Sequence, residues 1–178
     1  MRREVKRVLC TLSAGIKSND KKKGDDMELN ASMIEAHIYR KKNDKIEFLL
    51  LKRGEKANYP GIWQMVTGKV KKNEKAFETV LREVKEETNL IAEKLFVVPN
   101  VNSFYSIADD KVNFVPVFLC LVDEDDEVKI SKEHCKFRWV SKAKAKKMVA
   151  WTGQQKSLDI IYSYLTKKEN QIRFVEIK

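Results

Sequence analysis

The feature that most constrains this chain is a cluster of glutamates within residues 68–90, a stretch that reads as one helix preceded by a loop. Successive residues of a helix turn by about 100°, so Glu83, Glu86 and Glu87 fall within a single arc of about 100°. Apolar side chains fill the neighbouring arc and can pack on a core. The carboxylates would repel one another on an isolated helix, and the simplest explanation for their shared arc is a bound cation.

A solvated helix face is the alternative explanation, since amphipathic helices rich in lysine and glutamate are common. That alternative does not predict the order of residues, which follows G-x5-E-x7-R-E-U-x-E-E-x-G-U, where U is a bulky aliphatic residue. The glycine, arginine and glutamate identities alone would occur by chance in a chain of this length about once in 10⁵ sequences. The residues that fit are Gly68, Glu74, Arg82, Glu83, Val84, Glu86, Glu87 and Leu90.

This pattern resembles the box of the Nudix hydrolases. One position departs from it, because Asn89 stands where the family has glycine, at the expected end of the helix. Asparagine is the residue after glycine that best tolerates a left-handed backbone conformation, so we expect the helix to end there at modest cost.

The resemblance implies a fold of the α+β class, the Nudix fold, in which a mixed β-sheet is sandwiched between α-helices and the box forms a loop, a helix and a loop. It also implies hydrolysis of a nucleoside diphosphate linked to another group, with Mg²⁺ or Mn²⁺ as cofactor. Matched residue by residue, Glu83, Glu86 and Glu87 take the metal-binding and catalytic positions, and the Gly68 carbonyl adds a metal ligand. Glu74 and Arg82 take the positions of an ion pair that orients the loop.

Polyphosphate chemistry suits such a site independently. Divalent cations held by carboxylates neutralise a polyphosphate and make a bound water more acidic, so that a nearby glutamate can complete its deprotonation. Lys52, Arg53 and Lys69 are candidates to bind the remaining phosphate oxygens, although solvation explains Lys52 and Arg53 equally well. Trp63 is a candidate to stack on a base, and a core position is the better explanation from the sequence.

A narrower resemblance is to the bacterial dihydroneopterin triphosphate and dATP pyrophosphohydrolases. It rests on residues 63–68 (WQMVTG), residues 82–87 (REVKEE) and Glu133-His134 ahead of residues 137–139 (FRW). It implies that Glu133 joins the metal site and that a nucleoside triphosphate is split into a monophosphate and pyrophosphate. Without the resemblance, Glu133 reads as a surface-loop residue. Alternatives within the family are cleavage of dinucleoside polyphosphates, ADP-ribose or a capped RNA end.

Composition fits one globular domain with a polyanionic ligand. The chain has 178 residues, which is enough length for one core. It is 43% hydrophobic and carries a formal net charge of +10. The basic excess lies mainly at the ends, with 9 basic and 3 acidic residues in 141–178. A basic surface suits nucleotides and RNA alike, so a non-catalytic nucleotide- or RNA-binding module is a rival from another class. Composition does not determine the oligomeric state.

The cysteines and the apolar runs indicate the compartment. Cys10, Cys120 and Cys135 are odd in number and lack C-x-x-C spacing, so a reducing compartment is expected. No apolar run approaches the roughly 20 residues that cross a membrane. The short apolar stretch near the N-terminus is broken by Thr11 and Ser13, which disfavours a signal peptide. We therefore expect a cytoplasmic protein without a membrane partner.

The order of elements predicts a single folded domain preceded by a polar N-terminal extension. Residues 17–28 are almost wholly polar and predict a linker, so residues 1–28 are an expected extension and residues 29–178 the hydrolase domain. His37 falls on the more polar face of the first strand, where an exposed or hydrogen-bonded histidine is expected. Helices are predicted over the box, over 141–149 with Ser141 as N-cap, and after Gly153. Strands are predicted over residues 32–40, 46–52, 62–66, 95–101, 112–122 and 136–140.

Overall fold

The structure is a computed structural model, and it describes residues 27–178. A mixed sheet of nine strands forms its centre, with helices on both faces, which confirms the predicted α+β class. The helices are α1 (Ala76–Thr88), α2 (Lys142–Met148), α3 (Thr152–Thr166) and α4 (Glu169–Ile172). The strands are β1 (Glu28–Asn30), β2 (Met33–Lys42), β3 (Lys45–Arg53), β4 (Trp63–Gln64), β5 (Val66–Lys69), β6 (Lys94–Ser106), β7 (Lys111–Leu121), β8 (His134–Val140) and β9 (Glu176–Ile177).

Strand β2 occupies the middle of the sheet. One of its edges pairs in parallel with β7, and β7 pairs in turn with β6. The other edge is shared, since the first half of β2 pairs antiparallel with β5 and the second half with β3. Strand β3 continues the sheet to β8. Because β5 leads into the box loop, its pairing with β2 holds the start of the box against the central strand.

Both faces of β2 are covered. On one face Ile34 packs in a hydrophobic cluster with Val84 of α1. On the other face Tyr39 packs in a second cluster with Leu158 of α3. The alternation of apolar and polar residues along β2 therefore does not mean that one face meets solvent.

Of the two environments expected for His37, exposed or hydrogen-bonded, the structure has the hydrogen-bonded one. His37 is fully buried, and its Nε2 lies 2.7 Å from Oε1 of Glu35. Helix α3 covers this face of β2 and contributes Ser157 to the same polar cluster, through Asn102 of β6. The polar side chains on this face of β2 therefore form a cluster inside the protein and do not face solvent.

The predicted strands and helices are present with changed limits. Strand β6 runs beyond residue 101 to Ser106. Residues 62–66 contribute to two short strands, because the segment before Met65 pairs with β3 and the segment after it pairs with β2. The side chain of Ser141 accepts a hydrogen bond from the Lys144 amide at the start of α2, as an N-cap does.

Most of the predicted N-terminal extension lies outside the described residues. Strand β1 begins at Glu28, the last residue of the predicted linker, and pairs with β7. Cys10 also lies outside, whereas Cys120 is buried in the core as expected and Cys135 is exposed. Among the helices of residues 27–178, none has both the length and the apolar character needed to cross a membrane.

Candidate active site

The predicted box begins in β5 and continues through α1. Gly68 of β5 pairs with Ile34 of β2, and a Cβ atom at position 68 would overlap the side chain of Glu83. The Glu83 side chain therefore occupies the space beside Gly68 in which a Cβ atom would lie, so its carboxylate lies against the strand.

Helix α1 ends at the residue where the sequence departs from the family pattern. Asn89 adopts the left-handed conformation, with φ of 61° and ψ of 5°, and its amide donates to the Lys85 carbonyl at 3.0 Å. Asparagine thus supplies the C-terminal stop that glycine would otherwise provide.

An ion pair ties the box loop to the helix. Arg82 Nε donates to Oε1 of Glu74 at 2.8 Å, and Arg82 Nη2 donates to Oε2 at 3.0 Å. Hydrogen bonds from Arg82 and from the Lys71 amide lower the pKa of Glu74 to about 2. Arg82 Nη2 also donates to the Lys69 carbonyl at 3.1 Å, so one guanidinium connects β5, the loop and α1.

The same guanidinium contacts two more box carboxylates. Arg82 Nη1 donates to Oε1 of Glu83 at 2.7 Å and to Oε2 of Glu86 at 3.1 Å. Lys71 Nζ lies 3.8 Å from the second oxygen of Glu86. The charges of Glu83 and Glu86 are therefore partly compensated by the chain itself.

Glu87 is the buried member of the group, with 6% of its surface exposed. Burial raises the pKa of Glu87, a hydrogen bond to His134 opposes that rise, and the charges of Glu83 and Glu133 add to it. The Oε2 of Glu87 lies 3.0 Å from Nε2 of His134. The Gly54 amide holds the backbone of Glu133 with a 2.8 Å hydrogen bond to its carbonyl. Glu133 thus adds negative charge to the surroundings of Glu87.

The donor chemistry of this group fits a hard divalent cation. Within residues 27–178 no three His, Cys, Asp or Glu side chains converge as a ready-made cage. Arg82 donates hydrogen bonds to Glu83 and Glu86, so two of the carboxylates are directed to a guanidinium. Carboxylate oxygens are the ligands that Mg²⁺ and Mn²⁺ prefer. Such an ion would neutralise the negative charge of the carboxylates around Glu87 and so relieve their mutual repulsion.

The structure separates the four predicted substrate-binding residues. Arg53 lines a cavity of about 480 Å³ beside the box, whereas Lys52 and Lys69 do not line it. Lys69 is exposed at the end of β5. Trp63 packs against the core with the Arg138 guanidinium 5.5 Å from its ring centroid, and it does not line the cavity, which favours its core role.

The cavity lies between β2, β5, β6 and the start of α3. Thr67, directly before Gly68, is part of its wall, so the cavity adjoins the box. Apart from Arg53, sequence reasoning did not single out its lining, because the contributing residues are distant along the chain. The one sequence signal for a polar cavity wall was the presence of Glu35 and His37 in β2, a strand that lies in the middle of the sheet. The polar and aromatic lining residues that were missed are Glu35, Gln64, Asn102, Gln154, Tyr59, Phe104, Tyr105 and Trp151.

Comparison with known proteins identifies the family. Residues 33–159 match the family model described as the NUDIX domain. The chain belongs to the Nudix family. It is therefore a Nudix hydrolase, an enzyme that cleaves pyrophosphate bonds in nucleotides, and the family generally uses divalent metal ions.

Two relatives and one solved structure show how this Nudix chain compares with known proteins. It is 36% identical over 105 residues to the asymmetrical bis(5'-nucleosyl)-tetraphosphatase of Caenorhabditis elegans, covering 57% of this chain and 72% of that protein. It is 31% identical over 140 residues to the dihydroneopterin triphosphate diphosphatase of Haemophilus influenzae, covering 72% and 83%. A structure of the C. elegans Ap4A hydrolase in a binary complex matches with a TM-score of 0.65 and 28% identity, covering 77% of this chain and 98% of that one.

Proposed function

We propose that this Nudix enzyme hydrolyses a nucleoside triphosphate or a close relative, of the dihydroneopterin triphosphate or dATP type, and releases pyrophosphate. The observation that carries the proposal is the 3.0 Å contact between His134 and Glu87, which places the Glu133-His134 segment against the acidic face of α1. This segment is one of the three on which the narrower resemblance to the triphosphate pyrophosphohydrolases rests. The 31% identity with the H. influenzae diphosphatase supports the same substrate class.

A divalent cation, Mg²⁺ or in its place Mn²⁺, is the proposed cofactor. Glu83, Glu86, Glu87 and Glu133 would hold it with carboxylate oxygens, and the Gly68 carbonyl would add a backbone oxygen. When bound, the ion neutralises the polyphosphate and makes the attacking water more acidic.

Side chains of the protein itself carry out proton transfer, positioning and phosphate binding. A box glutamate accepts the proton of the water that attacks phosphorus, while the bond to the pyrophosphate leaving group breaks. His134 positions Glu87 through its hydrogen bond, and Arg82 with Glu74 keeps the loop and helix in register. Arg53, Lys52 and Lys69 are the proposed phosphate-binding cations, and Arg53 is the one on the cavity wall.

A product analysis tests the proposal. The purified enzyme with Mg²⁺ is incubated separately with dATP, dGTP, dihydroneopterin triphosphate, diadenosine tetraphosphate and ADP-ribose. We expect pyrophosphate and a monophosphate from at least one triphosphate. Release of AMP and ribose phosphate from ADP-ribose, with no pyrophosphate from any triphosphate, would overturn the proposal.

Asymmetrical hydrolysis of a dinucleoside tetraphosphate is the second candidate. The 36% identity with the C. elegans tetraphosphatase and the fold match to the Ap4A hydrolase of the same organism favour it. The same assay separates the two, because asymmetrical cleavage of diadenosine tetraphosphate yields ATP and AMP, whereas the triphosphate reaction yields pyrophosphate.

RNA binding without catalysis is disfavoured by the box. A binding module has no need for several mutually repelling carboxylates on one helix face. The basic ends keep RNA binding as an added property, and deletion of residues 1–28 would abolish a steeply salt-dependent RNA affinity if that property resides there.

A further inference from the structure

The sheet face that carries α1 includes an apolar area beyond the cluster to which the helix belongs. On β7 that cluster reaches Phe118, and Phe114 lies on the same side of the strand because side chains alternate. The registers of β6 and β1 against β7 bring further apolar side chains to this side. We call this area the sheet patch, and its residues are Leu29, Val97, Val101, Val112, Phe114 and Pro116.

Among residues 27–178 the sheet patch stays open to solvent. The exposed fractions of its largest open side chains are 67% for Leu29, 57% for Val101, 42% for Val97 and 39% for Phe114. Single exposed apolar residues are ordinary, but a contiguous group on three neighbouring strands typically marks a surface that another apolar surface covers. Strands lie about 4.8 Å apart, so β1, β7 and β6 together span about 10 Å, which is the width of one helix.

The part of the chain outside the described residues contains a segment with a matching apolar side. At about 100° per residue, the large aliphatic residues within 5–16 fall in one helical arc of about 100°. This spacing predicts an amphipathic helix. A helix of about 12 residues is only marginally stable by itself in water, so burial of its apolar stripe is what would stabilise it. The residues of the stripe are Val5, Val8, Leu9, Leu12 and Ile16.

The point of attachment suits the sheet patch. The described part of the chain begins at Met27, two residues before Leu29, which is itself a member of the patch. Residues 17–26 span up to about 33 Å when extended, so residues 5–16 can lie across the patch. Such a short connection also keeps the segment at a high effective concentration beside the patch. Attachment at this point therefore favours the chain's own segment over a second copy of the chain or a membrane surface.

The charges at the rim of the sheet patch suit the same segment. Residues 1–7 hold four basic side chains and one acidic one. The turn that joins β6 to β7 holds Asp109 and Asp110, and both are exposed. They accept hydrogen bonds from the hydroxyl groups of Ser106 and Tyr105, at 2.9 Å and 2.7 Å, which bring no compensating positive charge. The basic end of the segment thus has an acidic counterpart at the tip of the hairpin.

We propose that residues 5–16 form an amphipathic helix that docks on the sheet patch of the same chain, with its apolar stripe towards β6, β7 and β1. The stripe covers side chains that are otherwise open to solvent, and the basic residues before it lie near the acidic turn. The N-terminal segment is then a further helix on the face of the sheet that carries α1. This inference does not depend on the proposed reaction.

Hydrogen exchange of the full chain, measured by mass spectrometry on peptides from residues 8–16, tests the docking. We expect these amides to exchange about tenfold more slowly, or slower still, in the parent protein than in Leu9→Asp, which places a charge within the stripe. Ala14→Asp adds the same charge on the opposite side of the helix, so it is the matched control and should keep the protection. Absence of protection in the parent protein, protection that survives Leu9→Asp, or protection that is lost in Ala14→Asp would each overturn the inference.

The same two variants distinguish a helix from an added strand. Alternation along a strand would place position 14 on one side with Val8 and Leu12, and position 9 on the other side. A strand would therefore lose its contact in Ala14→Asp and keep it in Leu9→Asp, which is the reverse of the expected result.

A substitution in the sheet patch tests the partner surface. Val101→Lys places a charge in the patch and should speed the exchange of residues 8–16 by about tenfold or more. Phe104→Lys is the control, because Phe104 lies on the opposite side of the same strand and lines the cavity, and it should leave the exchange unchanged. If Val101→Lys does not melt cooperatively, Leu29→Lys on β1 takes its place. Unchanged exchange in the folded patch variant would show that the segment lies elsewhere.

Protein concentration and lipid vesicles distinguish the possible occupants of the sheet patch. For a segment docked on its own chain, the protection of residues 8–16 should be the same at low and high protein concentration, with light scattering used to follow the molar mass. Protection that grows with concentration together with the molar mass would assign the patch to a second copy of the chain. Protection that appears only with phosphatidylserine-containing vesicles would assign the segment to a membrane surface. Either result overturns the inference.

Discussion

His134 Nε2 lies 3.0 Å from Oε2 of Glu87, and this contact joins the first residue of β8 to the acidic face of α1 across 47 positions of the chain. Both side chains are almost fully buried. The contact orients the one box carboxylate that solvent hardly reaches, and it brings the preceding residue, Glu133, to the edge of the same cluster.

We expect His134→Ala to weaken metal binding more than it weakens the fold. Without the imidazole, Glu87 loses its hydrogen bond and its fixed orientation, and loss of such an outer partner typically costs about 10- to 100-fold in metal affinity. Titration of the variant with Mn²⁺, followed by its paramagnetic signal, measures this directly. Cys135→Ala, next to it and exposed, is the control. An unchanged Mn²⁺ affinity would show that Glu87 does not depend on His134.

Glu86→Gln and Glu87→Gln should each retain the fold and lose turnover by about 100-fold or more, since a carboxylate that binds metal or takes a proton is replaced by a neutral amide. Initial rates of pyrophosphate release measure the effect. Glu78→Gln, in the first turn of the same helix, provides the control because Glu78 caps the helix start and lies outside the carboxylate group. Near-normal turnover in either box variant would remove its residue from the site.

The Glu74–Arg82 pair predicts a pH dependence of stability. Because the pKa of Glu74 is lowered from 4.5 to about 2, the stabilisation is fully present above pH 4.5 and is lost as the pH falls towards 2. Glu74→Gln should therefore melt at a lower temperature than the parent protein at pH 5–7. The difference should shrink between pH 4.5 and pH 2. Melting curves across this range provide the measurement, and a difference that is constant with pH would contradict the assignment.

Gly68→Ala should lower both the melting temperature and the activity, because the added methyl group overlaps the Glu83 side chain. The double variant Gly68→Ala/Glu83→Ala removes the overlapping atoms. It is expected to regain most of the melting temperature and none of the activity, since the proposed metal ligand is gone. If the double variant melts no higher than Gly68→Ala, the overlap with Glu83 is not the cause of the instability.

The predicted elements show where sequence reasoning succeeded. The predicted strands and helices follow local periodicity, and each is present with its ends displaced by a few residues, whereas β1, β9 and α4 were not predicted. The chain's change of partner at Met65 divided one predicted strand into two, because strand pairing is decided between distant segments. Burial of His37 was missed for the same reason, since α3 covers the face of β2 that the alternation indicated as polar.

The sequence by itself determined the Nudix box, including the close grouping of Glu83, Glu86 and Glu87 and the reach of Arg82. These residues are neighbours along one helix and the loop before it, so helical geometry alone brings them together. Only the tertiary structure decided that His134 contacts Glu87 and that Glu35 and Gln154 line one cavity. Glu35 and Asn102, for example, are 67 positions apart and meet because β2, β6 and α3 pack together. Contacts of that kind depend on how sheet and helices close around the core, and no local pattern encodes them.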